Sequence, residues 1–414
     1  MDFADSREEA MFRDAVRAWL ADNAPRKTAA KPNFHAHYPG DDEALAAAKD
    51  FQARKAEAGY AAITWPTEWG GRGGHAIEQV IFDQEAESYA VPRGFFDIGL
   101  GMCVPTVMTY GTEQQRRRYG PPALRGEEIW CQLFSEPAAG SDLAGIRSRA
   151  EPAGDGTGDW ILNGQKIWTS GAHFSDYGII VCRHDADLPK HKGLTFFFLD
   201  MRSPGIEIRP IKQIDGGQNF NEVFFSDVRV PDSQRLGAVG EGWKVSLTTL
   251  MNERLAVGDS PPPDFAEIFE LCRGLELESG PALEHGAVRD TLADWYVQTM
   301  GLKYTKFRTM TRLSRGETAG PESSITKLVA AKKLQDIGAF GMELMEQAGA
   351  ITATDRLPLG GMFQDAYFIG AWRRIAGGTD EILRNIIAER VLKLPGDIRV
   401  DKETAFRHLP AGKG

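Results

Sequence analysis

Apolar positions over residues 1–128 recur at helical spacing. Ala10, Phe12, Val16, Trp19 and Leu20 fall close to one face, and Ser6 stands where an N-cap belongs. Residues 44–58 are Ala-rich and helical, and residues 70–74 (Gly-Gly-Arg-Gly-Gly) break the pattern as a loop. Helical patterns resume over 77–89 and 95–110. The texture changes near Ile129. Short β-prone runs over 130–134, 160–162, 177–182, 194–199, 206–208 and 223–225 alternate with turns rich in Gly, Asp and Asn, which predicts a sandwich or barrel. From about Gly240 long amphipathic segments return, over 243–257, 288–313, 324–347 and 380–394, and four of them suggest a bundle. The last begins at Thr379 as N-cap and stops at Pro395-Gly396. The expected architecture is α+β and multidomain: a helical domain over 1–128, a β-barrel over 129–238, a helical bundle over 239–400 and a tail over 401–414.

With 414 residues, two or three domains are the prior. The longest apolar runs are far too short to cross a bilayer, and the acidic, polar start does not resemble a secretory signal. The net charge of −10 argues against nucleic acid as the main partner. The basic run Arg116–Arg118 reads as a solvated helix face. Cys103, Cys131, Cys182 and Cys272 are scattered without CxxC spacing, so neither a disulfide framework nor a metal site is expected, and the expected location is cytoplasmic.

Two stretches carry chemistry. Gln132-Leu133-Phe134-Ser135-Glu136-Pro137 runs on through Gly140-Ser141-Asp142 and leaves a strand into a Pro/Gly turn, where backbone N–H groups and small hydroxyls can hold a polar ligand. Gly164-Gln165-Lys166-Ile167-Trp168-Thr169-Ser170 sets an indole between polar residues. That indole is either a core tryptophan or an edge laid against a planar ring.

Together these stretches resemble the central signature of the acyl-CoA dehydrogenase family. Phe220–Phe225, Val228–Pro231, Gly240–Trp243, Gly378–Ile382 and Ala388–Arg390 extend the similarity over roughly residues 5 to 400. The resemblance implies a helical domain, a β-barrel and a four-helix bundle, with FAD between barrel and bundle in a homo-oligomer, usually a tetramer. It also implies that Gln132, Leu133, Phe134, Ser135, Trp168 and Ser170 contact the flavin. Ser141 would meet the CoA portion of the substrate, and Thr379 and Glu381 would reach FAD, where a helix start suits anionic groups. The family's Arg-x-x-Phe-Gly motif is missing between Leu271 and Trp295; Arg273 and Arg289 lie nearby outside any such motif.

The implied reaction removes an α proton from an acyl-CoA thioester, and that proton needs a positioned carboxylate. One family position for the base, just before the Gly-Thr of the last helix, is Gly377 here. The other, on the first bundle helix, is Glu253. It shares a largely apolar face with Thr249, Leu250, Ala256 and Val257, and Arg254 follows it as the substrate-side arginine. The placement matches long-chain and isovaleryl-type members. The expected activity is α,β-dehydrogenation of an acyl-CoA, with electrons passing to an electron-transferring flavoprotein. Two alternatives stay open on the same fold: a flavin oxidase or monooxygenase, and a base-less partner subunit of a heteromeric dehydrogenase.

Overall fold

The structure, a computed structural model, describes residues 5–27, 42–92, 94–256, 262–314, 320, 323–351, 357–396, 398 and 401–410. The N-terminal part is helical: α1 (Arg7–Asn23), α2 (Asp42–Glu57), α3 (Ala76–Ala86), α4 (Val104–Tyr110) and α5 (Glu113–Leu124). Ser6 starts α1 through a capping box, its hydroxyl accepting from the Glu9 N–H at 3.2 Å while the Glu9 carboxylate accepts from the Ser6 N–H at 2.6 Å. Phe12, Val16 and Leu20 then pack on Tyr60, Ile63, Ile81 and Phe82. A π-helical turn, Gly99–Cys103, leads into α4. In the Arg116–Arg118 run, Arg117 pairs with Glu113 on its own helix. Arg118 pairs with Glu128 at 2.7 Å, and Arg116 lies over the Trp69 ring. Arg117 and Arg118 are exposed, so the run is the solvated face expected, with Arg116 turned onto a ring.

The middle part is one eight-stranded sheet: β1 (Trp130–Leu133), β2 (Arg149–Pro152), β3 (Trp160–Ser170), β4 (Tyr177–Arg183), β5 (Leu194–Asp200), β6 (Ile206–Ile211), β7 (Phe220–Val230) and β8 (Arg235–Leu236). The order is β6-β7-β3-β2-β4-β5-β8, with β1 parallel to β4. The expected closed barrel is not found. Strand β6 ends the sheet on one side and the two-residue β8 on the other, and they do not pair. Its two faces still find separate cores. Ile180, Cys182, Phe197 and Leu199 point to a cluster built from the sheet itself with Leu162, Val223 and Phe225. Ile179, Val181, Phe196 and Phe198 point the other way, against Cys103, Val107 and Val245 of the helical layers. Each large apolar side chain so buried contributes about 1.5–3 kcal/mol, and burial on both faces explains why β4 and β5 read as unbroken apolar runs.

The C-terminal part holds α6 (Gly242–Ala256), α7 (Phe265–Gly274), α8 (Gly286–Ser314), α9 (Ser323–Leu344), α10 (Met362–Arg373) and α11 (Asp380–Ile386), the last continuing into a π turn, Ile387–Val391. Helices α7 and α10 add to the four segments read from the pattern. The Lys333 ammonium on α9, almost fully buried, donates to both oxygens of Asp264 (2.7 and 2.8 Å) and to Thr299 (2.8 Å), and so ties α9 to α7 and α8. The end of the chain returns to the sheet. Phe406 is buried with the Arg183 guanidinium 3.4 Å from its ring centre, Asp401 pairs with Lys190 at 2.7 Å, and Arg407 pairs with Asp187. Burial pulls Arg183 down to about 10. All four cysteines are buried free thiols. Among the described residues no helix is long and apolar enough to cross a membrane.

Candidate active site at the junction of sheet and helices

Strand β3 carries the site into place through two register shifts against β7. Leu162 opposes Val228 and Gly164 opposes Phe225, so β7 has the extra residue, and Asp227 there has φ +51°. Lys166 opposes Val223 and Thr169 opposes Asn221, so this time the extra residue lies on β3. Trp168 occupies that bulge with φ +60°, a left-handed conformation that costs a bulky L-residue roughly 1–2 kcal/mol. Its indole is 56% exposed, which excludes the core-tryptophan reading. It stands against Phe220 (centroids 6.1 Å apart), and Phe220 meets Trp372 of α10 (5.5 Å). Thr169 next to it is buried with its hydroxyl unpartnered, and Ser170 is half-buried at the strand end. Asn221 is fully buried beneath the bulge, donating to the Thr169 carbonyl at 2.9 Å and meeting His173 Nδ1 at 3.2 Å.

The Gln132–Ser135 segment runs beside this bulge. The Ile167 N–H donates to the Ser135 carbonyl at 2.9 Å. Leu133 and Phe134 are buried; Gln132 and Ser135 are half-buried. Beneath them lies a buried ion pair, of which the sequence reading gives Glu136 the role of fixing its turn and Lys166 none. The Lys166 ammonium, fully buried, donates to Glu136 (2.8 Å) and to the carbonyls of Phe134 (3.1 Å) and Val181 (2.9 Å). Glu136 also accepts from the N–H groups of Arg147 (2.5 Å) and Ser148 (3.0 Å). Burial alone would raise the Glu136 carboxyl. The Lys166 charge and these donors outweigh it and hold the carboxyl below its ordinary value. A lysine at an inward position of an alternating strand is the signal that could have found it.

Helix α6 brings the second half of the site. It starts at Gly242, where a Cβ would stand 2.6 Å from the Leu194 backbone, so the helix rests directly on β5. Thr249 shares a hydroxyl contact with Thr106 of α4 (2.9 Å), and Thr248 with Tyr110 (2.9 Å). One turn beyond Thr249, half-buried Glu253 reaches the turn before α11. Its Oε1 lies 3.0 Å from where a Cβ on Gly377 would sit. Two positions far apart in sequence therefore face each other. The Glu253 charge is also felt at Cys103, whose thiol is pushed up first by burial and then by Cys131 and Glu253. The side chain of Arg254 lies outside the described residues, as does Val257.

Thr379 caps α11, its hydroxyl accepting from the Ile382 N–H at 3.3 Å; Glu381 is exposed in the first turn. Ser141 is exposed on the turn before Leu143–Gly145, beside Asp142, which pairs with Lys190 at 3.1 Å. Trp372 joins the two halves: its ring meets Phe220, and its carbonyl accepts from Ile375 (2.9 Å) and Ala376 (2.8 Å) in the turn that ends at Gly377. Arg273 pairs with Glu270 on its own helix. Through Phe220 and Trp372 the exposed indole on the sheet is linked to the turn that meets the Glu253 carboxylate, an arrangement that suits proton removal from a planar substrate.

Three family models match in succession: "Acyl-CoA dehydrogenase, N-terminal domain" over residues 6–127, "Acyl-CoA dehydrogenase, middle domain" over 131–228 and "Acyl-CoA dehydrogenase, C-terminal domain" over 240–392. The chain is 34% identical over 399 residues to acyl-CoA dehydrogenase IpdE1 of Mycobacterium tuberculosis, covering 94% of this chain and 98% of that one. It is 38% identical over 348 residues to acyl-CoA dehydrogenase FadE34 of the same organism, covering 83% of this chain but spanning only 46% of that longer relative. Among solved structures it resembles the Tcur3481-Tcur3483 steroid ACAD, with a TM-score of 0.77 and 26% identity, covering 96% of this chain and 100% of that one.

Proposed function

Since the chain belongs to the acyl-CoA dehydrogenase family, whose members are flavin-dependent oxidoreductases, we propose that it oxidises the Cα–Cβ bond of an acyl-CoA thioester, with Glu253 as the base. The observation that carries this reading is the meeting of Glu253 and Gly377. The carboxylate from α6 stands against the position from which the other family carboxylate would project, and that position is a bare glycine.

The residues present fit a flavin. Trp168 offers an exposed indole held in a strained bulge, Thr169 beneath it keeps an unpartnered hydroxyl, and Gln132 to Ser135 line the adjoining strand end. Trp168 and Ser170 would meet the ring edge, Gln132, Leu133, Phe134 and Ser135 its polar side, and Thr379 and Glu381 the remainder of FAD. Bound FAD would accept the hydride that leaves the β carbon.

Glu253 takes the α proton onto its carboxylate, and the electron pair of that C–H bond becomes the new Cα–Cβ π bond. Glu253 itself stands half-buried against the turn before α11. Arg254 and Ser141 would hold the CoA portion, and the electrons leave to an electron-transferring flavoprotein. The likeness to a steroid ACAD, together with the missing side chain at Gly377, supports a bulky, steroid-derived acyl group. A homo-oligomer is part of the same reading.

The test has two arms. Denaturing the purified protein should release FAD, and recovery of FMN would reject the cofactor assignment. Glu253→Gln should keep FAD but slow its reduction by acyl-CoA at least about 100-fold. Reduction at the parent rate would remove Glu253 from the mechanism. A panel of straight-chain and steroid-derived acyl-CoAs on the parent enzyme identifies the acyl class.

A further inference from the structure

The turn that faces Glu253 is held from a third side. Lys327, half-buried near the start of α9, donates to the Gly378 carbonyl at 2.6 Å. Gly377 and Gly378 both have positive φ (+65° and +91°), so this segment has no side chains of its own with which to anchor itself. On its far side Asp380, almost fully buried, is gripped by Arg374 at 2.6 and 2.7 Å. Lys327 thus reaches from α9 to a backbone segment that lies against the carboxylate.

Resting on the assignment of Glu253 as base, we propose that Lys327 is a positioning residue for proton removal: its ammonium fixes the Gly377-Gly378 turn against Glu253 and sets a positive charge beside that carboxylate. The charged groups around Lys327 come from three elements: Glu253 of α6, Arg373 and Arg374 at the end of α10, and Asp380 of α11. The Glu253 charge also reaches Cys103 of the π turn. Burial lowers the Lys327 ammonium, Asp380 and Glu253 oppose that shift, and the two arginines add to it. A lone ammonium would not be kept half-buried between two arginines without these carboxylates. A hydrophobic spacer could fill the same volume, but it would neither hold the Gly378 carbonyl nor set a charge near Glu253.

The test compares Lys327→Met and Lys327→Arg with the parent and with Glu253→Gln, each loaded with FAD. Flavin reduction by a good acyl-CoA is followed from acid to alkaline pH, and flavin content and unfolding midpoint are recorded in parallel. An opposite charge favours the ionised carboxylate, so removing it makes Glu253 easier to protonate. The acid limb of the Lys327→Met profile should therefore move up by about one pH unit, and Lys327→Arg should bring it back. Lys327→Gln, which keeps a donor without the charge, should show the same displaced limb and serves if the methionine variant loses FAD. An acid limb that stays at the parent position in a variant that binds FAD, while Glu253→Gln is slow, overturns the role of Lys327 alone. Parent-rate reduction by Glu253→Gln overturns both assignments.

Discussion

Gly377→Ala adds a single methyl group and separates two costs. Gly377 has φ +65°, a conformation that costs an L-residue roughly 1–2 kcal/mol, and this appears as lost stability. The new Cβ would also stand 3.0 Å from Glu253 Oε1, closer than Cβ atoms normally approach, so the carboxylate must retreat by a few tenths of an ångström. A misplacement of about 1 Å costs on the order of 100-fold in rate, so a shift of a few tenths should slow proton removal roughly 4-fold or more. Gly378→Ala is the control. It carries at least as much backbone strain at φ +91°, but the nearest atoms to its Cβ would be those of Leu383 and Ile382, at ordinary contact distances of 3.5 Å and more. Rapid-mixing measurement of flavin reduction, alongside denaturant unfolding of both variants, reads the two costs apart. Gly378→Ala should lose at least as much stability, yet Gly377→Ala should be the slower by a clear margin. Equal slowing would mean that the approach of residue 377 to Glu253 has no part in catalysis.

Two further outcomes concern the ground beneath the flavin segment. Lys166→Met strips Glu136 of its buried partner and the Phe134 and Val181 carbonyls of their donor; denaturant titration should show a loss of about 3–5 kcal/mol, with part of it regained in Glu136→Gln/Lys166→Met. The Glu136 carboxyl sits below its ordinary value of 4.5, so its contribution to stability is complete above that pH and disappears as the pH falls through the depressed value; unfolding midpoints measured down the acid range should drop there in the parent and not in the double variant.

Much of this architecture could be read from local rules, and its exceptions have local causes. Ser6 and Thr379 signal their helices because a hydroxyl followed by free N–H groups is a cap wherever it occurs. Strands β4 and β5 stand out because both faces are buried. Strand β2 escaped notice because Arg149, Glu151 and Pro152 are exposed and only Ala150 points inward. Helix α10 escaped because Met362, Phe363, Ala366 and Ile369 bury most of its surface and leave little periodicity. The barrel reading failed on closure, which depends on whether two remote edges meet, and no strand pattern states that. The site divides in the same way. Trp168 and the Gln132 segment lie in contiguous motifs, whereas the approach of Glu253 to Gly377, the grip of Lys327 and the Lys166–Glu136 pair exist only once separate elements pack.

Phe406 closes over Arg183, and Asp401 over Lys190, so the sheet at the centre of the molecule borrows its last cover from the final stretch of chain. A ribosome releases the strands long before it releases that cover. Until that stretch emerges, the Arg183 guanidinium keeps the carbonyls of Ala144 and Ile146 but lacks the Phe406 ring over it, and Lys190 lacks Asp401. Contacts between such distant stretches of sequence are entropically expensive to form early. The nascent sheet is thus completed only after residues 401–407 have emerged, which ties the folding of the middle of the protein to a stretch far along the chain.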